Sequence, residues 1–260
     1  RIGQLEIRNR IIMSPMGSNF AETDGTCGER IQAYYEERAK GGAGLLTMGV
    51  CAVAFPHGTG EPYQVGVSRD DFILGLRNQF GNFHLVPEGG ANYYGVMGCM
   101  EIAKELDVQP DFFATSAGTG TTATGLLLSA TQHQKVMVFS GLKGGEFLKD
   151  DIKHLINYTT YNSEDTDDIL QHLNLITDYH FGGFAKITPE LVEFTNAFYR
   201  QFQIPLDLIY TSKLFYGLFD MIRKNHFKPH SKIVALHTGG LQGNNGFSGQ
   251  MKKMGISLIY

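Results

Sequence analysis

The sequence predicts an α/β fold, a predominantly parallel sheet with helices on both faces, preceded by a βαβ segment of separate character. Three observations point there. Short apolar and β-branched runs alternate with longer stretches of helical character along the chain, the order of elements that builds parallel sheets. The 32 glycines fall mostly in clusters between those runs, as expected where strands feed helices through tight turns or where backbone approaches phosphate. A length of 260 residues with 42% hydrophobic and 12% aromatic content suits one large core or two modest ones.

Each element follows from a local signal. Arg10–Met13 (RIIM) is β-branched and runs into Ser14-Pro15, which reads as a buried strand stopped by proline. Glu29–Lys40 (ERIQAYYEERAK) carries charge on one side and is closed by Gly41-Gly42, a helix with a glycine cap. Leu45–Val53 (LLTMGVCAV) reads as a second buried strand, and Asp70 as the N-cap of a helix from Asp71 to about Asn78. Strands are then expected at His84–Val86, Asp111–Thr115, Lys135–Phe139, Leu173–Ile176, Leu206–Tyr210 and Lys232–His237. Between them lie helical stretches near Asn92–Leu106, Thr121–Leu128, Phe147–Leu155, Thr188–Phe202 and Leu214–Lys224. Pro189 suits a first helical turn, and Phe194, Phe198 and Phe202 recur every four residues as a core-facing stripe. Asn162–Asp168 (NSEDTDD) reads as a solvated acidic loop rather than a metal site. No polar linker marks residue 80, where independent domains would have one.

Composition excludes several function classes. Net charge is −4 with no long block of one sign, so no nucleic-acid partner is expected. Cys27, Cys51 and Cys99 are odd in number and widely spaced, which argues against a disulfide framework and for a reducing compartment. The nine histidines do not cluster at ligand spacing, so no metal is expected. No apolar run reaches membrane-spanning length and no signal peptide is visible; a soluble cytoplasmic protein with no membrane partner is the expectation. Ser116 lacks the surrounding glycines of a hydrolase nucleophile turn.

Chemistry concentrates after the Asp111–Thr115 strand, in SAGTGTTATG (Ser116–Gly125). A Gly/Thr/Ser-rich turn at a helix N-terminus aims backbone N–H groups and hydroxyls at one spot, where the helix dipole also favours an anion. The turn is neither a Walker loop nor a dinucleotide fingerprint. Three further stretches accompany it: VPEGGANYYGVMG (Val86–Gly98), LIYTSKLFYGL (Leu208–Leu218) and LHTGGLQG (Leu236–Gly243). Together, over about residues 80–247, these motifs resemble the pyridoxal-phosphate (PLP) family of aminocyclopropane-carboxylate deaminase and D-cysteine desulfhydrase. That family has the tryptophan-synthase-β-like fold, fold type II.

The resemblance implies PLP as cofactor, with its phosphate on Ala117, Gly118, Thr119, Gly120 and Thr121. It implies that Tyr210 is the catalytic residue near substrate and ring, and that Thr238 faces the pyridine nitrogen. The deaminase branch has a Glu directly after that Tyr; this chain has Thr211 there and Thr238 later. A hydroxyl partner suits a less strongly protonated ring, which implies desulfhydrase-like β-elimination from a small amino acid rather than cyclopropane opening. The family's imine-forming lysine sits in an Asn-Lys motif that would precede residue 80. None of Lys40, Lys143, Lys186 or Lys213 has that context, and Lys213 reads as a solvated or packing residue. Loss of catalysis is therefore expected.

The opening stretch differs. NRIIMSPMGSNFAETDGT and YYEERAKGGAGLLTMGV resemble the start of the old yellow enzyme family, nearer its dienoyl-CoA reductase branch. The resemblance implies the first part of a (β/α)8 barrel carrying FMN, with Ser14, Pro15, Met16 and Gly17 after one strand and Gly49 and Val50 after the next lying against the flavin ring. About a quarter of a barrel is present, without the later strands that grip phosphate. The expected organisation is a flavoenzyme-like segment over residues 1–78 and a PLP-enzyme-like domain over residues 79–260, joined near Asn78–Gly81 as a chimera. The competing functions are an FMN-dependent ene-reductase and a non-catalytic α/β chimera. Assembly is left open between monomer and homodimer.

Overall fold

A computed structural model describes residues 6–52, 55–56, 59, 62–67, 71–72, 88–161 and 165–260. The chain divides into two compact units, Arg1–Glu88 and Gly89–Tyr260. The expected strand at His84–Val86 and the junction near Asn78–Gly81 lie outside the described residues, as does the expected helix beyond Phe72.

In the first unit, β1 (Ile12–Met13) and β2 (Leu45–Leu46) pair in parallel and α1 (Glu29–Lys40) connects them. This is a βαβ unit, as its sequence predicts. A second parallel pair joins β3 (Cys51–Ala52) to β4 (Val65–Gly66). Ala21, Ile31, Tyr35 and Val65 form the core. Two expectations are corrected. The run from Leu45 is not one strand: it leaves the first ladder after Leu46 and enters another at Cys51. The break falls at Gly49, whose N–H donates to Tyr35 Oη at 2.9 Å instead of to a neighbouring strand. Nor is the first strand buried, because Ile11 and Ile12 remain 64% and 48% exposed.

The second unit is built on a parallel sheet of β5 (Phe112–Ala117), β6 (Lys135–Ser140), β7 (Leu173–Ile176) and β8 (Ile233–Ala235), in the order β7-β6-β5-β8. Around it lie α2 (Tyr93–Met100), α3 (Thr121–Ser129), α4 (Leu148–Thr160), α5 (Thr166–Leu170), α6 (Pro189–Phe202), α7 (Thr211–Arg223) and α8 (Ser248–Met254). The period-two alternation of the central strands explains the layering. Phe113, Ala117, Val136 and Val138 pack against Leu126 and Leu127 of α3 and Leu148, Ile152 and Ile156 of α4. Ala114, Met137 and Phe139 point the other way, onto Leu214 and Leu218 of α7. With helices on both faces the strands are apolar on both, which is why they read as unbroken runs.

Three further expectations change. Leu206–Tyr210 is not a strand, because side chains rather than a neighbouring strand take up its backbone groups. Within the acidic NSEDTDD stretch, whose residues 162–164 lie outside the described residues, α5 starts at Thr166, whose hydroxyl bonds Asn157 Oδ1. Asp167 and Asp168 then occupy a first turn, where the helix dipole favours acids. Of the phenylalanine stripe on α6, Phe198 is buried against Phe215 and Phe219, but Phe202, at the end of the helix, is 41% exposed. No described helix is long and apolar enough to cross a membrane.

Strand order locates the site. The chain moves from β5 to β6 to β7 in one direction, and β8 then returns to the far side of β5. The reversal lies between β5 and β8, and the crevice outside the carboxyl ends of strands at such a point is where open parallel sheets bind ligands. The segments leaving those two strands are Gly118–Gly120 and Leu236–Gly240. Leu126, fully buried between α3 and the sheet, tests the core beneath: Leu126→Ala should cost about 2–5 kcal/mol, read as a lower urea midpoint for the second unit at unchanged slope.

Candidate functional site

The turn after β5 has the form of an anion cradle. Gly120, at φ +80°, precedes α3, and no side chain caps that helix. A side chain at Gly120 would also meet Ile152 Cγ1 at 2.8 Å, so both conformation and space call for glycine. Two other helices of the unit carry a side-chain cap, Asn92 Oδ1 accepting the Gly95 N–H at 2.9 Å on α2 and Thr188 Oγ1 accepting the Leu191 N–H at 3.3 Å on α6, whereas α4, α5 and α8, like α3, have none. At α3 the first-turn N–H groups, which have no intrahelical partner, stay directed at the turn. Thr119 and Thr121 add hydroxyls 3.2 Å apart. Gly89 reaches the same place, since a Cβ there would meet Thr119 Oγ1 at 2.2 Å. Ala117, Gly118, Thr119, Gly120 and Thr121 thus form one continuous wall.

Tyr210 stands over that wall. A Cβ on Gly118 would lie 2.8 Å from Tyr210 Oη, and one on Gly141 would lie 3.5 Å from its ring. What holds Tyr210 is a set of side chains that sequence reasoning missed. Asp207, 1% exposed, accepts N–H bonds from Ile209 and Tyr210 on Oδ1 at 2.9 and 2.8 Å. Its Oδ2 accepts the N–H and the hydroxyl of Thr211 at 2.8 and 2.6 Å. Asn244 Oδ1 accepts the Leu208 N–H at 2.9 Å, and its Nδ2 donates to the Leu206 carbonyl at 3.1 Å. Tyr260 Oη accepts the Leu206 N–H at 3.0 Å. Backbone groups satisfied by side chains have no need of a sheet partner, which is why the expected strand does not form. A local signal for this exists: Asp207 accepts the N–H two residues on, an Asx turn of the kind Asp readily forms.

Thr211 is fully buried, and its hydroxyl is committed to Asp207. The residue directly after Tyr210 is therefore held by Asp207. Thr238 differs, lying exposed in the loop after β8. Its loop is steadied by His237, whose Nδ1 accepts the Gly239 N–H at 3.1 Å, leaving Nε2 to donate to the Pro205 carbonyl at 2.7 Å.

Lys213 is not solvated. It is 1% exposed, and its Nζ donates to the carbonyls of Gly183 at 2.8 Å and Gly141 at 3.2 Å. Burial lowers its pKa from the usual 10.5 to about 8, with Asp207 opposing in part. Periodicity could have found it, since Lys213 shares the buried face of α7 with Leu214 and Gly217.

The flavin-related residues also converge. Pro15, Met16 and Gly17 follow β1 and Gly49 follows β2, and a Cβ at Gly49 would sit 1.8 Å from the Met16 carbonyl oxygen. Gly49's amide is already donated to Tyr35. Met16, Asn19, Tyr35, Gly49 and Tyr63 line a small cavity of about 10 Å³, room for about one water. Burial pushes the Cys27 and Cys51 thiols up to about 11, away from redox-reactive thiolate.

The sequence comparisons divide the chain in much the same way. The NADH:flavin oxidoreductase / NADH oxidase family matches residues 1–84. An NADH oxidase of Thermoanaerobacter brockii is 41% identical over 76 residues, 29% of this chain and 12% of that protein. A protein of Pyrococcus horikoshii named for 1-aminocyclopropane-1-carboxylate deaminase is 32% identical over 164 residues, 62% of this chain and 50% of its own. The bifunctional D-cysteine desulfhydrase/1-aminocyclopropane-1-carboxylate deaminase of Arabidopsis thaliana is 28% identical over 178 residues, covering 62% of this chain and 42% of that protein. The crystal structure of an ACC deaminase homologue superposes with TM-score 0.62 at 23% identity, over 85% of this chain and 66% of that one. The chain spans about half the length of the deaminase-type archaeal relatives it matches.

Two measurements test the buried charges. Asp207→Ala leaves the amides of Ile209, Tyr210 and Thr211 without that acceptor and should cost at least about 2 kcal/mol in chemical unfolding. For Lys213, the folded pKa near 8 lies below the unfolded 10.5, so the unfolded chain binds more protons between those values and stability rises with pH across that window. The difference in melting temperature between wild type and Lys213→Met should therefore shift in favour of wild type from pH 8 to pH 10.5. A flat difference would show that the ammonium is not buried. In sum, the larger part of the chain resembles the deaminase/desulfhydrase proteins in sequence and the deaminase homologue in fold, and its N-terminal part resembles flavin oxidoreductases.

Proposed function

We propose that residues 79–260 form the cofactor-holding part of a PLP-dependent lyase or deaminase acting on a small amino acid. The observation that carries this reading is the uncapped N-terminus of α3, placed at the switch point of a parallel sheet and overhung by Tyr210. Ala117–Thr121 would hold the cofactor phosphate through amides and the Thr119 and Thr121 hydroxyls, and Thr238 would meet the pyridine nitrogen. Bound there, PLP supplies an electron sink for charge developing on the α-carbon of an amino acid. Tyr210 lines the substrate side, its backbone fixed by Asp207 and its hydroxyl able to hold or pass a proton.

The same residues favour β-elimination over cyclopropane opening. The position after Tyr210 carries a buried, capped Thr211 rather than a carboxylate. A neutral Thr238 hydroxyl does not hold a proton on the ring nitrogen as a carboxylate would. The lysine of the family's Asn-Lys motif has no counterpart in context, and the flavoenzyme-like segment occupies its place in the sequence. The chain is thus proposed to be a chimera that binds the cofactor but has lost the main base of catalysis. A flavin reading draws on the convergence of Met16 and Gly49 and on the family match over residues 1–84.

Thermal unfolding with added PLP, inorganic phosphate or FMN separates these readings. PLP and phosphate should raise the melting temperature of wild type, and Gly118→Val, which drives a side chain into Tyr210, should weaken PLP at least about tenfold, or about 1.4 kcal/mol. Stabilisation by FMN alone would replace the PLP reading with the flavin one. Stabilisation by none of the three would leave an inert chimera.

A further inference from the structure

Lys213 is the buried ionisable group that the proposed cofactor site does not use. It sits at the start of α7, three positions after Tyr210, and its ammonium bridges carbonyls from two segments distant in sequence, Gly141 after β6 and Gly183 before α6. Those segments touch one another directly: a Cβ on Gly183 would lie 3.3 Å from Lys143 Cβ. Both also flank Tyr210. Gly141 lies against its ring, and the Phe184 ring is 6.2 Å from it between centroids. Each segment turns through left-handed glycine, Gly144 at φ +72° and Gly182 and Gly183 at +97° and +118°. Glycine-rich turns have many alternative conformations, so an external tie is needed to hold them in one.

We propose that Lys213 is a positioning residue that staples the Gly141–Gly144 and His180–Gly183 loops to the helix carrying Tyr210, and so sets the space in which the cofactor ring lies. A buried ammonium suits this role because charge-assisted bonds to carbonyls are strong where water is excluded. Removing it strands two carbonyls, whereas the phosphate cradle, built from β5 and α3, does not depend on it. The ring-binding consequence rests on the PLP reading above; the stapling itself does not.

Lys213→Met separates the two. Hydrogen exchange at residues 141–145 and 181–184 should accelerate about tenfold or more in the variant, while the amides of β5 and β6 keep wild-type protection. Affinity for PLP should fall about tenfold, with affinity for inorganic phosphate unchanged, because phosphate needs only the cradle. A variant that merely destabilises the fold would speed exchange in sheet and loops together and weaken both ligands alike. That outcome, or unchanged exchange in both loops, overturns the proposal. Wild-type protein that takes up neither ligand overturns the PLP reading, and the exchange data then decide the staple alone.

Discussion

Asp207 carries a nearly fully buried carboxylate to the N-terminus of α7 and receives hydrogen bonds there from Ile209, Tyr210 and Thr211. A buried charge is tolerated only when its oxygens are occupied in this way. The bonds fix Tyr210 at φ −122° and ψ −64°, neither strand nor helix, which sends its ring over Gly118 and Gly141. Lys213, one turn along the same helix, then reaches two loops at the same end of the sheet. Much of the candidate site is thereby referred to one capped helix end.

The second unit uses a single physical preference twice. A helix N-terminus favours negative charge. At α7 the chain supplies that charge itself through Asp207. At α3 it supplies none and surrounds the amides with glycine and threonine instead. That contrast, together with the switch point of the sheet, is what the proposed anion site at α3 rests on.

The first unit shows the limit of converging residues. Met16 and Gly49 meet because β1 and β2 are parallel neighbours whose ends lie side by side. That geometry follows from any βαβ unit. The Gly49 amide, meanwhile, is already donated to Tyr35.

Much of the second unit is legible in its residues alone. Alternating apolar runs and helical stretches determined the parallel α/β class, the central strands and the helices near Thr121, Thr188 and Leu214, because those signals are local and periodic. The motif order likewise picked out Ala117–Thr121 as the candidate cradle. The sequence could not show that Leu206–Tyr210 avoids the sheet, since Asn244 lies 36 residues beyond Leu208 and Tyr260 lies 54 beyond Leu206. Nor could it name Gly141 and Gly183 as the partners of Lys213. Those outcomes depend on which side chains meet after the sheet has closed. A side chain's partner is a tertiary fact, even when its preference for a partner is written in the sequence.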